Sequence, residues 1–253
     1  MTGRPQRVPL ALQDGIDPPA TAMVMAAGLG KRMRPLTVTR PKPLVEVAGE
    51  TLLDHTLDHL KRAGVRRVVV NVHYLPDLIE QHLKTHDHGL EVVISDEREQ
   101  LLETGGGLMK AKPLIPDDPF LCVNGDNYLV MGALDSIRQL AARWDDAKMD
   151  ALLLVIPQAR AHNHGGQGDF TMDGEGRLAR RKPGKVAPFV YIGVQLISQR
   201  LLTGAPEGPF STNILWDRAI AAGRCYGMVH TGLWFDVGTP AAIPVIEAML
   251  GGG

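Results

Sequence analysis

The chain has 253 residues, 44% of them hydrophobic and 22% charged, which is enough apolar material for a large core. Its formal net charge of -1 argues against nucleic acid or an anionic membrane surface as the main partner. The sequence has no apolar run of about 18 residues, so no membrane span is expected.

Two cysteines, Cys122 and Cys225, lie in apolar runs and are predicted to be buried thiols of a protein in the reducing cytoplasm. Residues 1–20 are rich in proline and are predicted to be a flexible tail. The apolar patch within them is interrupted by Pro9 and is too short for a signal peptide. A single domain over residues 21–250 is therefore expected.

A short apolar run, Ala22 to Ala27, predicts a buried strand that ends at a loop containing Gly28 and Gly30. Such a loop can direct several backbone N–H groups at one anion. The cations that follow suit a polyphosphate: Lys31, Arg32, Arg34 and Arg40. Lys31 comes too early for a Walker loop, and Met33 replaces the third glycine of a dinucleotide fingerprint. A tight turn with a solvated basic face is the alternative interpretation.

Lys42 lies between two prolines in the run Arg40-Pro41-Lys42-Pro43. Proline fixes φ and removes an N–H donor, so this lysine is mounted on a stiff backbone. We predict that its ammonium group is aimed before a ligand binds, and that its replacement costs activity but hardly any stability.

Strands and helices alternate over the next residues. The pattern predicts a strand at 44–47, a helix from Thr51 to Gly64, a strand at 68–71, a helix from Pro76 through Leu83 with Leu78 inward, and a strand at 92–95. The order β-α-β-α-β predicts a parallel sheet with helices on both faces.

Three consecutive glycines follow in the segment Glu103-Thr104-Gly105-Gly106-Gly107, before a helical pattern that begins at Leu108. Because glycine is costly inside a helix, we predict a glycine turn at the mouth of this helix, with space for a flat group or a phosphate. A plain loop is the alternative.

Pro119 to Val123 is predicted to be a buried strand that leads into Asn124-Gly125-Asp126. Ligands of open α/β sheets gather beyond the carboxyl ends of strands, where Asp126 should lie. A carboxylate there can hold Mg²⁺, which prefers oxygen ligands and substrate phosphates. A turn aspartate that caps the next element is the alternative.

The rest of the chain predicts helices at 132–144, 212–222 and 240–250, and strands at 151–156 and 189–196. In the helix at 212–222 we expect Ile214 to face the core. His162 and His164 lie in a polar loop with no third ligand near them in sequence, so we interpret them as loop residues and not as a metal site. Lys182 precedes Pro183 in a second cation run stiffened by proline, for which a solvated hairpin is the alternative.

The run Ala26-Ala27-Gly28-x-Gly30-Lys31-Arg32-Met33, followed by Pro35-Leu36-Thr37 and Pro41-Lys42-Pro43-Leu44, resembles the signature of the sugar-1-phosphate nucleotidyltransferases. The resemblance extends over residues 22–248. It implies an α/β fold, namely a Rossmann-like mixed, mainly parallel twisted sheet flanked by helices. The C-terminal β-helix of many relatives is not expected here.

The same resemblance implies nucleotidyl transfer from an NTP to a sugar 1-phosphate, with Mg²⁺ as cofactor. It implies Lys31, Arg32 and Lys42 as catalytic cations and Asp126 and Asp236 as metal ligands. It also implies that the nucleotide is bound by Ala26, Ala27, Gly28, Gly30, Thr104, Gly105 and Gly106, and the sugar phosphate by Asn124, Asp169, Lys182 and Gly193.

Two short features, Leu-Glu-Thr-Gly-Gly-Gly at 102–107 and Gly168-Asp169-Phe170, resemble the N-acetylmuramate-1-phosphate uridylyltransferases in particular. They imply UTP and N-acetylmuramic acid 1-phosphate as substrates and a role in bacterial cell-wall recycling. Arg180 or Arg181 would then contact the lactyl carboxylate of the sugar. Asn127 departs from the family pattern, in which a larger apolar or aromatic residue is expected.

Several alternatives stay open. Within the family, mannose-1-phosphate guanylyltransferase or another hexose or heptose enzyme is the second interpretation. Outside it, we consider a non-catalytic sensor of NDP-sugars and a dinucleotide-dependent oxidoreductase, the latter disfavoured by the missing third glycine. A monomer or weak dimer is expected.

Overall fold

The computed structural model describes residues 17–251, so residues 1–16 of the predicted tail at 1–20 lie outside the described part. Of the remaining residues assigned to the tail, Asp17 is exposed, whereas the next ones contact the domain. Pro18 is buried, and the N–H groups of Ala20 and Thr21 donate to the carboxylate of Asp117 at 3.0 and 3.1 Å. Within residues 17–251, no helix is both long enough and apolar enough to cross a membrane.

The strands are β1 (Thr21–Met25), β2 (Glu46–Val47), β3 (Glu50–Thr51), β4 (Arg67–Val72), β5 (Glu91–Asp96), β6 (Phe120–Asn124), β7 (Tyr128–Val130), β8 (Ala151–Pro157), β9 (Ala161–His162), β10 (Phe170–Met172), β11 (Leu178–Arg180), β12 (Phe189–Ile197), β13 (Cys225–Val229) and β14 (Leu233–Phe235). The helices are α1 (Leu52–Ala63), α2 (Pro76–Thr85), α3 (Glu103–Ala111), α4 (Ser136–Arg143), α5 (Asn213–Ala221) and α6 (Ala242–Gly251).

A mixed sheet of nine strands forms the centre of the described chain. Strands β5, β4, β1 and β6 are neighbours and run parallel. Strand β12 pairs antiparallel with both β6 and β8, β13 runs parallel to β8, and β10 and β11 form one edge. This architecture confirms the predicted α/β class with a mixed, mainly parallel sheet.

Alternate residues of β1 face opposite sides of the sheet, as the twofold repeat of a strand requires. Ala22 and Val24 join the core cluster that contains Leu53 and Leu57 of α1. Met23 joins a second cluster on the other face, which contains residues of α3 and α5. The helices therefore cover both faces, and the apolar run of β1 is buried between them.

Helix α1 follows the sequence prediction closely. Thr51 is its N-cap, and the hydroxyl of Thr51 accepts the N–H of Asp54 at 3.1 Å while the Asp54 carboxylate accepts the Thr51 N–H. Gly64 ends the helix with φ of 110°, a left-handed conformation that glycine adopts without steric cost. Leu53, Leu57 and Leu60 are buried, as their spacing predicts.

The predicted glycine turn before Leu108 is wrong, because α3 begins at Glu103 and all three glycines lie inside it. A Cβ on Gly105 would lie 2.3 Å from Phe210 Cε2, and a Cβ on Gly106 would lie 2.4 Å from the carbonyl oxygen of Gly208. Glycine costs about 1 kcal/mol in a helix relative to alanine. Here that cost is offset because only glycine lets the helix approach this segment.

Two predicted inward positions are also wrong. Leu78 of α2 and Ile214 of α5 are exposed, and Trp216 is buried in α5 instead. The Trp216 indole N–H donates to Gln195 Oε1 of β12 at 2.8 Å, which fixes the rotation of the helix. Both cysteines are buried free thiols, as predicted.

Candidate active site

The first part of the site is the turn that follows β1. Gly30 has φ of 59°, and the N–H of Met33 donates to the Gly30 carbonyl at 2.9 Å. Met33 is fully buried in a cluster with Tyr128 and Phe235, whereas Lys31 and Arg32 are exposed. The buried methionine therefore anchors the turn while its two cations remain free to meet a ligand.

Lys42 lies against this turn. A Cβ on Gly30 would lie 3.1 Å from Lys42 Cβ and 3.0 Å from Thr37 Cγ2, so glycine permits close packing here. The Thr37 hydroxyl donates to the Gly30 carbonyl at 2.8 Å, and the Tyr74 hydroxyl donates to the Thr37 carbonyl at 2.9 Å. Lys42 opens a short 3-10 turn after the extended Pro41, so the stiff backbone predicted from the two prolines is present.

Two candidates from separate motifs meet at the carboxyl end of β6. The Lys42 ammonium donates to Asp126 Oδ2 at 2.8 Å, and the two side chains are 14% and 32% exposed. Asp126 reaches this point because the N–H of the preceding Gly125 donates to the Met25 carbonyl of β1 at 2.9 Å. The edge of the sheet thus brings a cation and a carboxylate together, as expected for a ligand site in an open α/β sheet.

A cavity of about 540 Å³ opens beside this ion pair. Ten residues of the predicted site line it: Ala26, Ala27, Gly28, Gly30, Lys31, Arg32, Lys42, Thr104, Asn124 and Asp126. The wall also includes residues that sequence reasoning missed, namely Asn71, Glu103, Ser211 and Gly238. A Cβ on Gly28 would meet no atom within 4 Å, so this glycine faces open space.

Other predicted residues do not line this cavity. Gly105 and Gly106 face Phe210 and Gly208, as described above. Asp169 accepts the N–H of Tyr191 at 2.9 Å through Oδ2, which connects the loop to β12. Lys182 is exposed to solvent.

Gly193 lies at an irregularity of β12 and has φ of 77°. A Cβ there would lie 2.1 Å from Asn127 Nδ2 and 2.8 Å from Asn124 Nδ2. Asn127 Nδ2 also donates to the carbonyl of Ile192 at 2.7 Å. The glycine therefore leaves room for Asn127, and this explains how the unexpected polar residue is accommodated.

Asp236 lies just outside the cavity wall, beside Arg32. A Cβ on Gly238 would lie 2.8 Å from Arg32 Nη1 and 3.0 Å from Asp236 Oδ1. Nδ1 of His164 is 3.5 Å from Asp236 Oδ2. The interpretation of His164 as an isolated loop residue thus missed a carboxylate that is distant in sequence but adjacent in space.

A buried hydrogen-bond network supports the start of the glycine loop. Asn71 Oδ1 accepts the N–H of Ala26 at 2.7 Å, and Asn71 Nδ2 donates to Glu97 Oε1 at 2.7 Å. Both side chains belong to residues only 1% exposed. The other oxygen of Glu97 accepts the N–H of Leu102 at 3.2 Å, so the network joins β1, β4 and the approach to α3.

The two arginines considered as partners for a carboxylate are already bonded to protein. Arg180 donates to Asp217 Oδ1 at 2.7 Å and lies over the Trp216 ring, 5.5 Å from its centroid. Arg181 donates to the carbonyl of Gly168 at 3.1 Å. Arg180 therefore helps to hold α5 against the sheet.

A glycine turn rich in cations and an acidic strand end thus border one cavity at the edge of a mixed α/β sheet. Residues 21–182 match the nucleotidyl transferase family. The chain belongs to that family, and as predicted it is a sugar-1-phosphate nucleotidyltransferase, which transfers a nucleotidyl group to a sugar 1-phosphate.

The chain is 44% identical to N-acetylmuramate alpha-1-phosphate uridylyltransferase of Caulobacter vibrioides over 92% of this chain and 97% of that protein. It is 32% identical to the protein of the same name from Neisseria meningitidis serogroup B, over 91% of this chain and 98% of that one. The crystal structure of HddC from Yersinia pseudotuberculosis superposes with a TM-score of 0.74 at 21% identity, over 91% of this chain and 99% of HddC. That similarity shows a shared fold.

Proposed function

We propose that this enzyme transfers the uridylyl group of UTP to N-acetylmuramic acid 1-phosphate in bacterial cell-wall recycling, in the cytoplasm. The observation that carries this proposal is the 44% identity, over 92% of the chain, to a protein named for that activity. The site geometry is compatible with it, because cations of the glycine turn and the Lys42–Asp126 pair border one cavity.

In the proposed reaction, a phosphate oxygen of the sugar 1-phosphate attacks the α-phosphorus of UTP in line. A new P–O bond forms as the bond to the β-phosphate oxygen breaks, and pyrophosphate leaves with that electron pair. This displacement involves no covalent enzyme intermediate, so catalysis is positioning and charge neutralisation.

The residues of the glycine turn would hold the leaving group. Lys31 and Arg32 are exposed at the cavity and would bind the β- and γ-phosphates, together with the backbone N–H groups near Gly28 and Gly30. Lys42 would neutralise charge near the α-phosphate. Its ion pair with Asp126 aims the ammonium group before substrate binds, so little reorganisation is required during the reaction.

The carboxylates fit a divalent cation. Asp126 and Asp236 supply oxygen ligands, the kind that Mg²⁺ prefers, and both are partly exposed, at 32% and 22%. We propose that they hold Mg²⁺, which when bound would neutralise phosphate charge as a Lewis acid. Arg32 and Asp236 both lie beside Gly238, so a phosphate-binding cation and a metal ligand would be neighbours.

The residues proposed to bind the sugar phosphate lie partly outside the cavity. Asn124 lines the cavity and would contact the sugar phosphate, with Asp169 and Gly193 in the neighbouring loop and strand. Lys182 stays our candidate for the cation on that phosphate, since its exposed ammonium group is available to a ligand.

The experiment is pyrophosphate release measured across UTP, GTP and three sugar 1-phosphates: N-acetylmuramate, N-acetylglucosamine and mannose. The first two sugars differ only in the lactyl ether at O3, so they isolate recognition of that group. We expect UTP with N-acetylmuramate 1-phosphate to give the highest kcat/KM. Preference for GTP with mannose 1-phosphate would refute the proposal in favour of a guanylyltransferase, and no turnover with any pair would favour a sensor.

A further inference from the structure

A second group of ligand-type side chains lies outside the cavity of the candidate active site. The run His82-Leu-Lys-Thr-His86-Asp-His88 contains three histidines within seven residues, a pattern typical of metal binding that our sequence reasoning overlooked. His82 Nε2 lies 2.7 Å and His88 Nε2 lies 2.9 Å from the same atom, Asp54 Oδ1. The three residues belong to α2, to the loop before β5 and to α1.

All three side chains are largely buried, with 12%, 12% and 15% exposure for His82, His88 and Asp54. His88 Nε2 is buried and has no hydrogen-bond partner of acceptable geometry in spite of the short distance to Asp54. A buried nitrogen without a partner is unfavourable and calls for an explanation such as an ion. The nitrogen points into a cluster whose ligand atoms all lie within 4.8 Å of one another.

The surroundings leave one oxygen of Asp54 for this cluster. Oδ2 of Asp54 accepts from the Thr51 hydroxyl at 2.7 Å, whereas Oδ1 faces the two imidazoles. Asp58 Oδ1 lies 3.6 Å from His88 Nδ1.

Asp58 lies near the ring nitrogen of His88 that faces away from the cluster, on the side where a carboxylate supports a metal-bound histidine, but at 3.6 Å it is beyond hydrogen-bond length. A carboxylate near one ring nitrogen favours the N–H there and leaves the other nitrogen as a lone-pair donor. For His88 this makes Nε2 the ligand atom, which is the buried nitrogen without a partner. The orientation of the ring is therefore compatible with Nε2 as a metal ligand.

We propose that Asp54, His82 and His88 form a binding site for Zn²⁺, separate from the carboxylates proposed for Mg²⁺. Two imidazole nitrogens and one carboxylate oxygen are a ligand set that Zn²⁺ binds in tetrahedral geometry, whereas Mg²⁺ prefers oxygen alone. Asp54 and His82 line an open cavity of about 750 Å³, which would give the ion an entry path and leaves room for water as the fourth ligand.

Bound Zn²⁺ ties α1 to α2 and to the loop before β5. Helix α1 also packs on the turn Lys42–Leu44, so the bound ion would support the backbone that carries Lys42. The first consequence is stability, because a ligand that binds only the folded state raises Tm.

The test uses the full chain with any affinity tag removed and metals stripped by EDTA and dialysis. Zn²⁺ is titrated against a chromogenic chelator, and Tm is measured with and without Zn²⁺. We expect one Zn²⁺ per chain, and a rise in Tm of roughly 5 to 10 °C at a free Zn²⁺ concentration about 100 times Kd.

His82→Gln and His88→Gln should each weaken Zn²⁺ binding by more than about 100-fold, beyond the effect of losing an outer partner. His86→Gln is the matched control, because His86 stacks on His82 at 4.0 Å but is exposed and outside the cluster. The metal-free Tm of each variant checks folding, and either cluster variant alone suffices if the other does not fold. Absence of Zn²⁺ binding by the wild type, or equal weakening by His86→Gln, would overturn the proposal.

Discussion

Lys42 gives the sharpest test of the proposed active site. Its ammonium group is held by Asp126 at 2.8 Å, beside the cavity that would receive the α-phosphate. Loss of one preorganised electrostatic donor costs roughly 3 to 4 kcal/mol in the transition state. Lys42→Ala should therefore lower kcat/KM by about 10² to 10³.

The structure changes our expectation for stability. From sequence, Lys42 was expected to make little contact, but its side chain is only 14% exposed and it forms an ion pair with Asp126. Because Asp126 remains 32% exposed, solvent screens the pair and its loss should cost only about 1 kcal/mol. In a domain of this size that cost lowers Tm by roughly 2 to 4 °C.

Lys42→Met is the matched variant, since it keeps an aliphatic stem of similar length and removes the charge. We expect it to lose as much kcat/KM as Lys42→Ala, with a smaller loss of packing. Lys42→Arg should recover only part of the activity, because the planar guanidinium cannot place its charge at the same point. Steady-state kinetics and thermal melts are run on the same preparations. Near-native kcat/KM in Lys42→Met, or loss that follows unfolding alone, would refute the role assigned to this lysine.

Three further predictions concern metal, helix packing and pH. EDTA should abolish pyrophosphate release and Mg²⁺ should restore it, whereas full activity in EDTA would contradict the assignment of Asp126 and Asp236. Gly106→Ala should destabilise the protein by about 1 to 3 kcal/mol in urea unfolding, because the new Cβ would lie 2.4 Å from a carbonyl oxygen. Gly174→Ala is the control, since a Cβ there meets open space. Equal destabilisation by the two variants would contradict the explanation that close packing requires glycine at position 106. Burial lowers the pKa of His59 from 6.5 to about 4, so the unfolded chain binds a proton at this residue more readily than the folded chain does. The free energy of unfolding should therefore fall by about 3 kcal/mol as the pH drops from 6.5 to 4. His59→Gln should remove this contribution to the difference in unfolding free energy between pH 7 and pH 4, measured by urea unfolding. An unchanged difference would refute the role of His59.

The parts of the fold that follow a local pattern were predictable. Helix α1 has an N-cap at Thr51, an apolar repeat and a glycine stop, each of which acts within one turn of the chain. Strands β1 and β6 were visible as apolar runs, the first leading into a glycine loop and the second ending at Asn124. The inferred topology also placed Asp126 at the carboxyl edge of the sheet, but its ion pair with Lys42 was not predicted.

The errors arise where partners distant in sequence decide the structure. Nothing near Gly105 indicates that Phe210 will pack on it, so helix propensity alone placed the start of α3 too late. The cluster of Asp54, His82 and His88 had a sequence signal in its histidines, but Asp54 lies 28 residues before His82. The position of Asp54 in the helix cap gave no sign that its other carboxylate oxygen contacts the two histidines.

The glycines of α3 show how such distant contacts bear on function. By resemblance, two of them were predicted to contact the nucleotide, but their Cβ positions face protein atoms. A Cβ on Gly107 would lie 2.9 Å from Glu97 Oε1 and 3.0 Å from Asn71 Nδ2, the two groups whose hydrogen bond supports the N–H of Ala26.

A larger residue at Gly107 would therefore displace the side chain of Asn71. Asn71 in turn binds the N–H of Ala26, where β1 ends and the glycine loop begins. Misplacement of a phosphate-binding loop by about 1 Å can cost 10²-fold in rate. Gly107 and the glycine loop after β1 are thus joined by one buried network. We therefore expect a side chain at Gly107 to lower activity, although this glycine does not line the cavity.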